Sequence, residues 1–447
     1  MTITTPFVDI MVEQYDQTLS QAWQHLSAHD RELARLLVEE STYQNTTVSL
    51  VASSSPAHPG TLLAEGTHFG AVTAEGYPGR RFHSGARNAD ALEELAITRA
   101  TELFKAEHAN VQPHSGSSAN LAILFSVLNP GDRVLSMDLD AGGHLTHGSS
   151  ASVTGRYFDV THYGVTPDGW LDYDEIRRTA REIQPRMIIC GASSYPRAID
   201  FARFRAIADE VDAYLLADIS HISGLVVSGH HASPIDHAHF TTTSTYKQLR
   251  GPRGGLILFG ERAGERLRDS KGTVRGLIDR AVFPGFQGTP NFASIAAKAV
   301  ALRQAATPEF AEWGARIRYL ADVVAKELTG QGFPVVTGGT DTHMVMVDLR
   351  PHEHLTGKLA EDLLSDCDVL VNRNRIPGDP RPATVASGLR LGTNEIALRD
   401  VPADRVGELI GKICAVLASA VDPASNGHVR TALTEYVRYL CQAHPTI

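Results

Sequence analysis

The chain has few cysteines, no long apolar run and no block of basic residues, and each absence removes a class of protein. Its four cysteines, Cys190, Cys367, Cys414 and Cys441, lie far apart with no C-x-x-C pair. That spacing argues against a disulfide framework or a thiolate zinc site and reads as buried filler in a reducing compartment. The longest apolar runs, such as GLILF (Gly255 to Phe259) and AYLLA (Ala213 to Ala217), have the length of a strand. A membrane span needs ~18 residues. The N-terminal stretch MTITTPFVDIMVEQYDQTLS carries acids and no uninterrupted apolar segment, so a secretory signal is not expected and the cytoplasm is. The net charge of -10 is spread along the chain, which disfavours a nucleic-acid or anionic-membrane partner. Small molecules are the expected partners.

What is there is an ordinary globular composition, 43% hydrophobic and 21% charged over 447 residues, with room for more than one core. Short apolar runs alternate with helical patterns: RVLSMDL (Arg133 to Leu139), RMIIC (Arg186 to Cys190), YLLADI (Tyr214 to Ile219), HFTTT (His239 to Thr243) and GLILF. Between them lie DYDEIRRTAREI (Asp172 to Ile183) and FARFRAIADEV (Phe201 to Val211), with apolar residues at helical spacing. This rhythm predicts an α/β fold with a mostly parallel sheet flanked by helices. Ala-rich helices are expected through IAAKAVALRQAA (Ile295 to Ala306) and ARIRYLADVVAKEL (Ala315 to Leu328). A smaller α+β unit with strands near FPVVTG (Phe333 to Gly338) and HMVMVDL (His343 to Leu349) follows, then a C-terminal helix from Asn426. The expected division is an N-terminal arm (1–55), a large domain (56–310) and a small C-terminal α+β domain (311–447).

Open parallel sheets bind ligands at the carboxyl ends of their strands, so polar residues that end apolar runs are the first candidates. Ser115, Gly116 and Ser117 precede an amphipathic helix expected near Ser118, a pattern that serves either as a plain helix cap or as a phosphate cradle. Asp218 ends a strand that should be buried on both faces, where a carboxylate needs a partner: a core arginine or a positively charged ring nitrogen. Lys247 stands among small hydroxyl residues in TTTSTYKQLRGPRGG, either as a surface lysine or as an amine desolvated enough to attack a carbonyl. His144 and His147 lie three apart in AGGHLTHGS. A metal would need further ligands for which no motif is present, so no metal is expected, and a ring stacked on a flat cofactor suits His144 better.

Together these describe a pyridoxal 5'-phosphate site. From about Val48 to Ala418 the chain resembles the serine hydroxymethyltransferase family of fold-type I pyridoxal phosphate enzymes. The resemblance rests on AEGYPGRR (Ala74 to Arg81), NVQPHSGSSAN (Asn110 to Asn120), GGHLTHG (Gly142 to Gly148), the Lys247 stretch and GLRLGTNEI (Gly388 to Ile396). It implies a seven-stranded-type sheet and a homodimer or dimer of dimers. It also implies a covalent cofactor link to Lys247, Asp218 paired with the pyridinium nitrogen, His144 stacked on the ring, and phosphate held by Ser115, Gly116 and Ser117. Ser193 and His221 would lie at the ring's 3' oxygen, and Gly285 at a subunit-crossing phosphate contact. Arg390 would pair with the substrate carboxylate, Glu75 would act as acid and base at the β-hydroxyl, and Ser53, His83 and Asn374 would line the substrate side.

Departures from the family ring this site. Tyr246 stands where the family has histidine, Thr73 and Phe82 with His83 where it has tyrosines, Phe286 and Thr289 in FPGFQGTP where it has glycines, and SSSP (Ser53 to Pro56) replaces SENY. RDSKGTVRGLID (Arg268 to Asp279) looks longer than the corresponding loop. Leu139, Gly143, Leu145 and Asn374 match positions that contact folate in the family, and Phe82 is placed to stack on it, but Arg375 replaces a small residue. The resemblance implies retro-aldol and aldol chemistry on a β-hydroxy-α-amino acid through a glycine quinonoid. The rewritten rim favours an L-threonine transaldolase, with amino acid and aldehyde as substrates. The alternatives are a serine or 2-methylserine hydroxymethyltransferase using tetrahydrofolate, a simple aldolase, and a non-catalytic pyridoxal- or RNA-binding regulator.

Overall fold

A computed structural model of the chain describes residues 5–260, 273–421 and 423–446. Its centre is a seven-stranded sheet built from β1 (His108–Asn110), β2 (Arg133–Met137), β3 (Asp159–Tyr163), β4 (Met187–Cys190), β5 (Tyr214–Asp218), β6 (Phe240–Ser244) and β7 (Gly255–Phe259). The spatial order is β1-β7-β6-β5-β4-β2-β3. The run from β6 to β3 is parallel, and β7 is antiparallel to both of its neighbours. Strands covered on both faces need apolar residues at every position rather than at alternate ones. MIIC and GLILF meet that need and YLLAD does up to its last residue, Asp218; all three are buried throughout.

The crossover helices are specified locally. Asp172 caps Tyr173–Ile183 by accepting from the backbone N–H groups of Asp174 and Glu175, and Gln184 ends that helix in the left-handed region. Asp200 caps Phe201–Glu210 in the same way through Arg203. The helix after β1 departs from expectation. It runs from Gly116 to Val127, starts two residues earlier than Ser118, and has no single wet face: Ala119, Asn120, Ala122, Ile123 and Leu124 are all buried. It is wedged between the sheet and the segment carrying Ile278 and Val282, so both sides must be apolar.

A second, three-stranded antiparallel sheet follows, with β8 (Met344–Asp348), β9 (Asn372–Asn374) and β10 (Gly388–Gly392) in the order β8-β10-β9. The helices Pro308–Gly330, Gly357–Ser365, Ala403–Ala418 and Pro423–Ala443 belong to this part of the chain. FPVVTG does not form the expected strand. It makes one bridge, Val335 to Val347, and then a short turn in which Thr337 has a φ of 64°, an arrangement that cannot continue a ladder. The N-terminal helices Thr5–His29 and Arg31–Thr46 lead into Val48–Ser49, which pairs in parallel with Val369–Leu370. The expected lengthening of the loop before VFPG falls largely on 268–272, outside the described residues.

Candidate active site

Five loops at the ends of strands converge on one cleft of about 150 Å³, and they bring Ser115, His144, Ser193, Asp218 and Lys247 together. Gly116, Ser117, Tyr246 and His221 line the same cleft. A larger cavity of about 280 Å³, beside Tyr77, His108 and Asp279, holds none of these groups, so volume alone does not locate the chemistry.

Asp218 is the most firmly held member. Its Oδ2 accepts from Asn120 Nδ2 at 2.8 Å and from His147 Nε2 at 3.1 Å, and its Oδ1 accepts from the Ser220 N–H at 3.0 Å. Asn120 is fixed in turn by Thr242, whose hydroxyl donates to its Oδ1 at 2.6 Å. Burial works against the charge, but the donors from His147 and Ser220 and the neighbouring His144 outweigh it and hold the carboxyl far below the usual carboxylate range. The result is a permanent buried anion at the floor of the cleft.

Lys247 is 6% exposed, and its Nζ has no hydrogen-bond partner among the described residues. Burial pushes its amine down to about 8; Asp218 pulls the other way, while Arg390 and Arg253 add to the lowering. That is the setting in which an amine becomes a nucleophile near neutral pH. Its neighbour Tyr246 lies under the Arg253 guanidinium, 4.2 Å from ring centroid to Cζ, so the missing histidine charge is partly replaced by a cation stacked on the tyrosine.

The serine cluster is both cap and cradle. Ser115 caps the helix Gly116–Val127 in a reciprocal box with Ser118, which leaves the N–H groups of Gly116 and Ser117 facing outward from the helix start. Packing here is tight: a Cβ at 116 would stand 3.2 Å from Ser220 Oγ and 3.3 Å from the Ser244 nitrogen, so those neighbours would have to give by a few tenths of an ångström. Likewise a Cβ on Gly255 would come within 2.3 Å of the Ser115 carbonyl oxygen. His144 accepts at Nδ1 from the Thr146 N–H at 3.2 Å, and burial pushes its ring down to about 4, so it is a neutral flat ring.

Arg390 reaches across from β10. It donates to the Ser193 carbonyl at 2.6 Å and to Asn372 Oδ1 at 3.1 Å, and its Nε is buried without a partner. Burial lowers it to about 10, which leaves it charged. His221 is held well below its usual value by burial and by the charges of Lys247 and Arg390, with Nδ1 unpartnered. Asn374 approaches Ser194 at 3.5 Å, and Arg375 beside it is ion-paired with Asp140.

Several expected members stand elsewhere in a single chain. Glu75, His83, Gly285, Arg390 and Asn374 do not line the cleft; Glu75 is bonded to His83 through its N–H at 3.3 Å, and Gly285 lies exposed next to Phe286. Ser53 is absent from the lining too, although Ala52 before it accepts from His343, whose ring stacks on His221 at 6.1 Å.

His144, His147 and Asp218 offer ligand atoms within 4.8 Å of one another, the one group among the described residues with metal-like spacing. His147, however, spends its Nε2 on Asp218, and the same carboxylate oxygen also takes Asn120. The donor set instead fits pyridoxal 5'-phosphate: an unpartnered amine, a buried anion, a neutral ring, and a helix start that a single Cβ would fill. The sheet order, the antiparallel β7 and this cleft are those of a fold-type I pyridoxal phosphate enzyme. A family model described as serine hydroxymethyltransferase matches residues 26–413, and the chain belongs to that family of pyridoxal phosphate-dependent transferases.

Sequence reasoning missed His147 as the partner of Asp218, and it missed Asn120, Arg253 and Lys298. Lys298 is a second lysine in a dry setting, on the helix Phe292–Ala305: it is 1% exposed, and burial pushes it down to about 7 while Glu93 pulls upward. It reads as a lysine on an Ala-rich surface helix, and nothing in its local spacing signals otherwise.

Proposed function

We propose that this enzyme is an L-threonine:aldehyde transaldolase. Threonine is cleaved between Cα and Cβ, acetaldehyde leaves, and the remaining glycine unit is joined at Cα to a second aldehyde to give a new β-hydroxy-α-amino acid. The bound cofactor supplies an electron sink for the pair left at Cα. The residues of the chain do the rest. Asp218 would keep a proton on the ring nitrogen, His144 would cover a ring face, and Gly116 and Ser117 would hold the phosphate. Arg390 spends its two terminal nitrogens on the Ser193 carbonyl and Asn372 Oδ1 and keeps a buried, unpartnered Nε; it would exchange those bonds for the substrate carboxylate and so orient the amino acid. Glu75 removes the proton of the β-hydroxyl and returns it to the new one. It does so from a second copy, since it stands apart from Lys247 in its own chain.

The observation that carries this reading is the Arg375 to Asp140 ion pair. Arg375 also donates to the Asp379 carbonyl at 2.9 Å, which ties the loop after β2 to the end of β9. The pair engages Asp140, next in sequence to Leu139, and Arg375 follows Asn374, so a guanidinium is held beside two of the positions that resemble the family's folate contacts, which supports a carbon partner other than folate. A serine or 2-methylserine hydroxymethyltransferase using tetrahydrofolate is the second reading, favoured by Leu139 and Leu145, which are 45% and 48% exposed and open to a flat ring.

The assay is direct. Threonine with purified protein should release acetaldehyde without tetrahydrofolate, and an added aromatic aldehyde should appear in a new amino acid. Strict dependence on tetrahydrofolate with serine, and no aldehyde incorporation, would reject the transaldolase.

The domain division at 55 and 310 and a cytoplasmic location belong to the same proposal, the latter supported by four free buried cysteines. A homodimer or dimer of dimers is supported by the apolar residues Trp23, Leu33, Leu36 and Leu37 exposed on the N-terminal helices. Among the described residues no helix is long and apolar enough to cross a membrane.

A further inference from the structure

Between β1 and the helix Gly116–Val127 the chain runs through residues 111–114, which belong to neither sheet nor helix. Val111, Gln112 and Pro113 are buried, so the carbonyl groups of this stretch need partners from outside it. They find them in two side chains from distant segments. Lys298 donates to the Val111 carbonyl at 2.7 Å and the Pro113 carbonyl at 2.9 Å, and its third proton goes to the Gly255 carbonyl at 3.1 Å. Gln287 donates to the Gln112 carbonyl at 2.9 Å and accepts from the His114 N–H at 3.1 Å. The Pro113 carbonyl also accepts from the Gly255 N–H at 2.9 Å.

Every donor of Lys298 is therefore spent on backbone, and among the described residues no carboxylate is paired with it. A buried ammonium is costly, and methionine would fill the same space without that cost. What an ammonium offers is three donors at one point, enough to fix three carbonyls from two strand ends. The segment so fixed ends at Ser115, whose carbonyl lies against Gly255, the third residue that Lys298 holds.

We propose that Lys298 is a positioning residue for the phosphate-binding turn: by clamping the backbone of residues 111 and 113 to β7, it sets the direction in which Gly116 and Ser117 present their N–H groups to the cofactor phosphate. It touches neither cofactor nor substrate and acts through the turn alone.

The test uses two ligands that share a ring and differ in the phosphate. Apo-protein with Lys298→Met, and separately with Lys298→Gln, is titrated with pyridoxal 5'-phosphate and with pyridoxal, following the visible absorbance of the covalently held ring. Loss of charge-assisted hydrogen bonds should weaken pyridoxal 5'-phosphate binding by roughly thirty-fold in Lys298→Met, less in Lys298→Gln, and leave pyridoxal within about two-fold of the parent. Inorganic phosphate should compete with pyridoxal 5'-phosphate in the parent and lose that ability in Lys298→Met. Equal weakening of both ligands would show a general structural role and overturn the proposal, as would unchanged binding of both. Failure of both variants to yield folded apo-protein would overturn it too, because the residue would then serve the fold rather than the turn.

Discussion

The inner wall of the cleft and its rim are built on opposite plans. At the inner wall Asp218 uses both carboxylate oxygens, Asn120 is held at both ends, and Thr242 closes the network. At the rim, Arg390 keeps an unused Nε, His221 an unused Nδ1, and Glu75 and His83 lie outside the cleft of their own chain. Apart from the unpartnered Nδ1 of His147, the groups around Asp218 are saturated, which leaves them one geometry, because any movement breaks a buried hydrogen bond. An unsaturated rim is completed by what enters it. The difference teaches that the groups around Asp218 are fixed within one chain, while Arg390 and His221 keep polar atoms free for what the proposed reaction brings to them.

The largest break comes from Lys247→Ala. It removes the amine that captures the cofactor, and the visible absorbance of the bound ring and all turnover should vanish; Lys298 cannot replace it because its three protons are committed. Unchanged absorbance and activity would show that the cleft is misassigned. Next, Arg390→Ala should raise the KM for amino acid on the order of a hundred-fold, from the ~3 kcal/mol of a charge-assisted bidentate pair. Cofactor binding should hardly move, since Arg390 touches the rim network and not Asp218. A normal KM would remove it from the substrate side.

A pH experiment separates the two plans further. Lys247 is lowered to about 8, so its attacking free base grows as pH rises through that value and then levels off. The rate of cofactor capture by apo-protein should climb about ten-fold per unit below pH 8 and flatten above it. The sign for apo-protein stability agrees. Between about 8 and its ordinary value of 10.5 the folded lysine is neutral while the unfolded one is protonated, so stability rises with pH in that window and its contribution is lost as pH falls through 8. A capture rate independent of pH between 6 and 9 would contradict a desolvated amine.

The smallest effects concern the rewritten rim. Tyr246→His would put an imidazole under Arg253 at the site of the present stacking contact, where a second cation is disfavoured. It should shift product partitioning by only a few-fold, from aldehyde transfer towards simple cleavage of threonine, on the scale of ~1 kcal/mol for a lost cation–π contact. Equal partitioning with cofactor fully bound would show that this position does not choose the reaction. Arg375→Ala should loosen the tie between the loop after β2 and β9 and raise tetrahydrofolate binding by a similarly small factor, measured by equilibrium titration, as expected for a partly exposed pair with side-chain exposures of 26% and 52%. No gain in folate binding would detach Arg375 from the choice of carbon partner.

The central sheet was legible because its signal is local. A strand buried on both faces needs apolar residues along its length, and GLILF has them throughout and YLLAD up to its last residue, Asp218. FPVVTG carried the same apolar signal and failed as a strand because the chain turns at Thr337, which apolar content does not encode. Asp218, His144 and Lys247 stood out for the same local reason: each interrupts a run or a glycine loop with a group that is expensive to bury. The sequence by itself thus determined five of the seven central strands, the residues at several of their ends and, through five separated motifs, the family; the short, more polar strands His108–Asn110 and Asp159–Tyr163 gave no such signal.

Tertiary structure decided which groups hold those residues in place. The partner of Asp218 could not be read from its neighbourhood, since Asn120 lies 98 residues away and His147 lies 71 away. Nor could the grip of Lys298 on Val111, across 187 residues, be read from an alanine-rich helix. Hydrophobic periodicity tells a side chain which way to face. A hydrogen bond needs a donor and an acceptor within about 3 Å and in line, and only the folded chain sets that distance and direction.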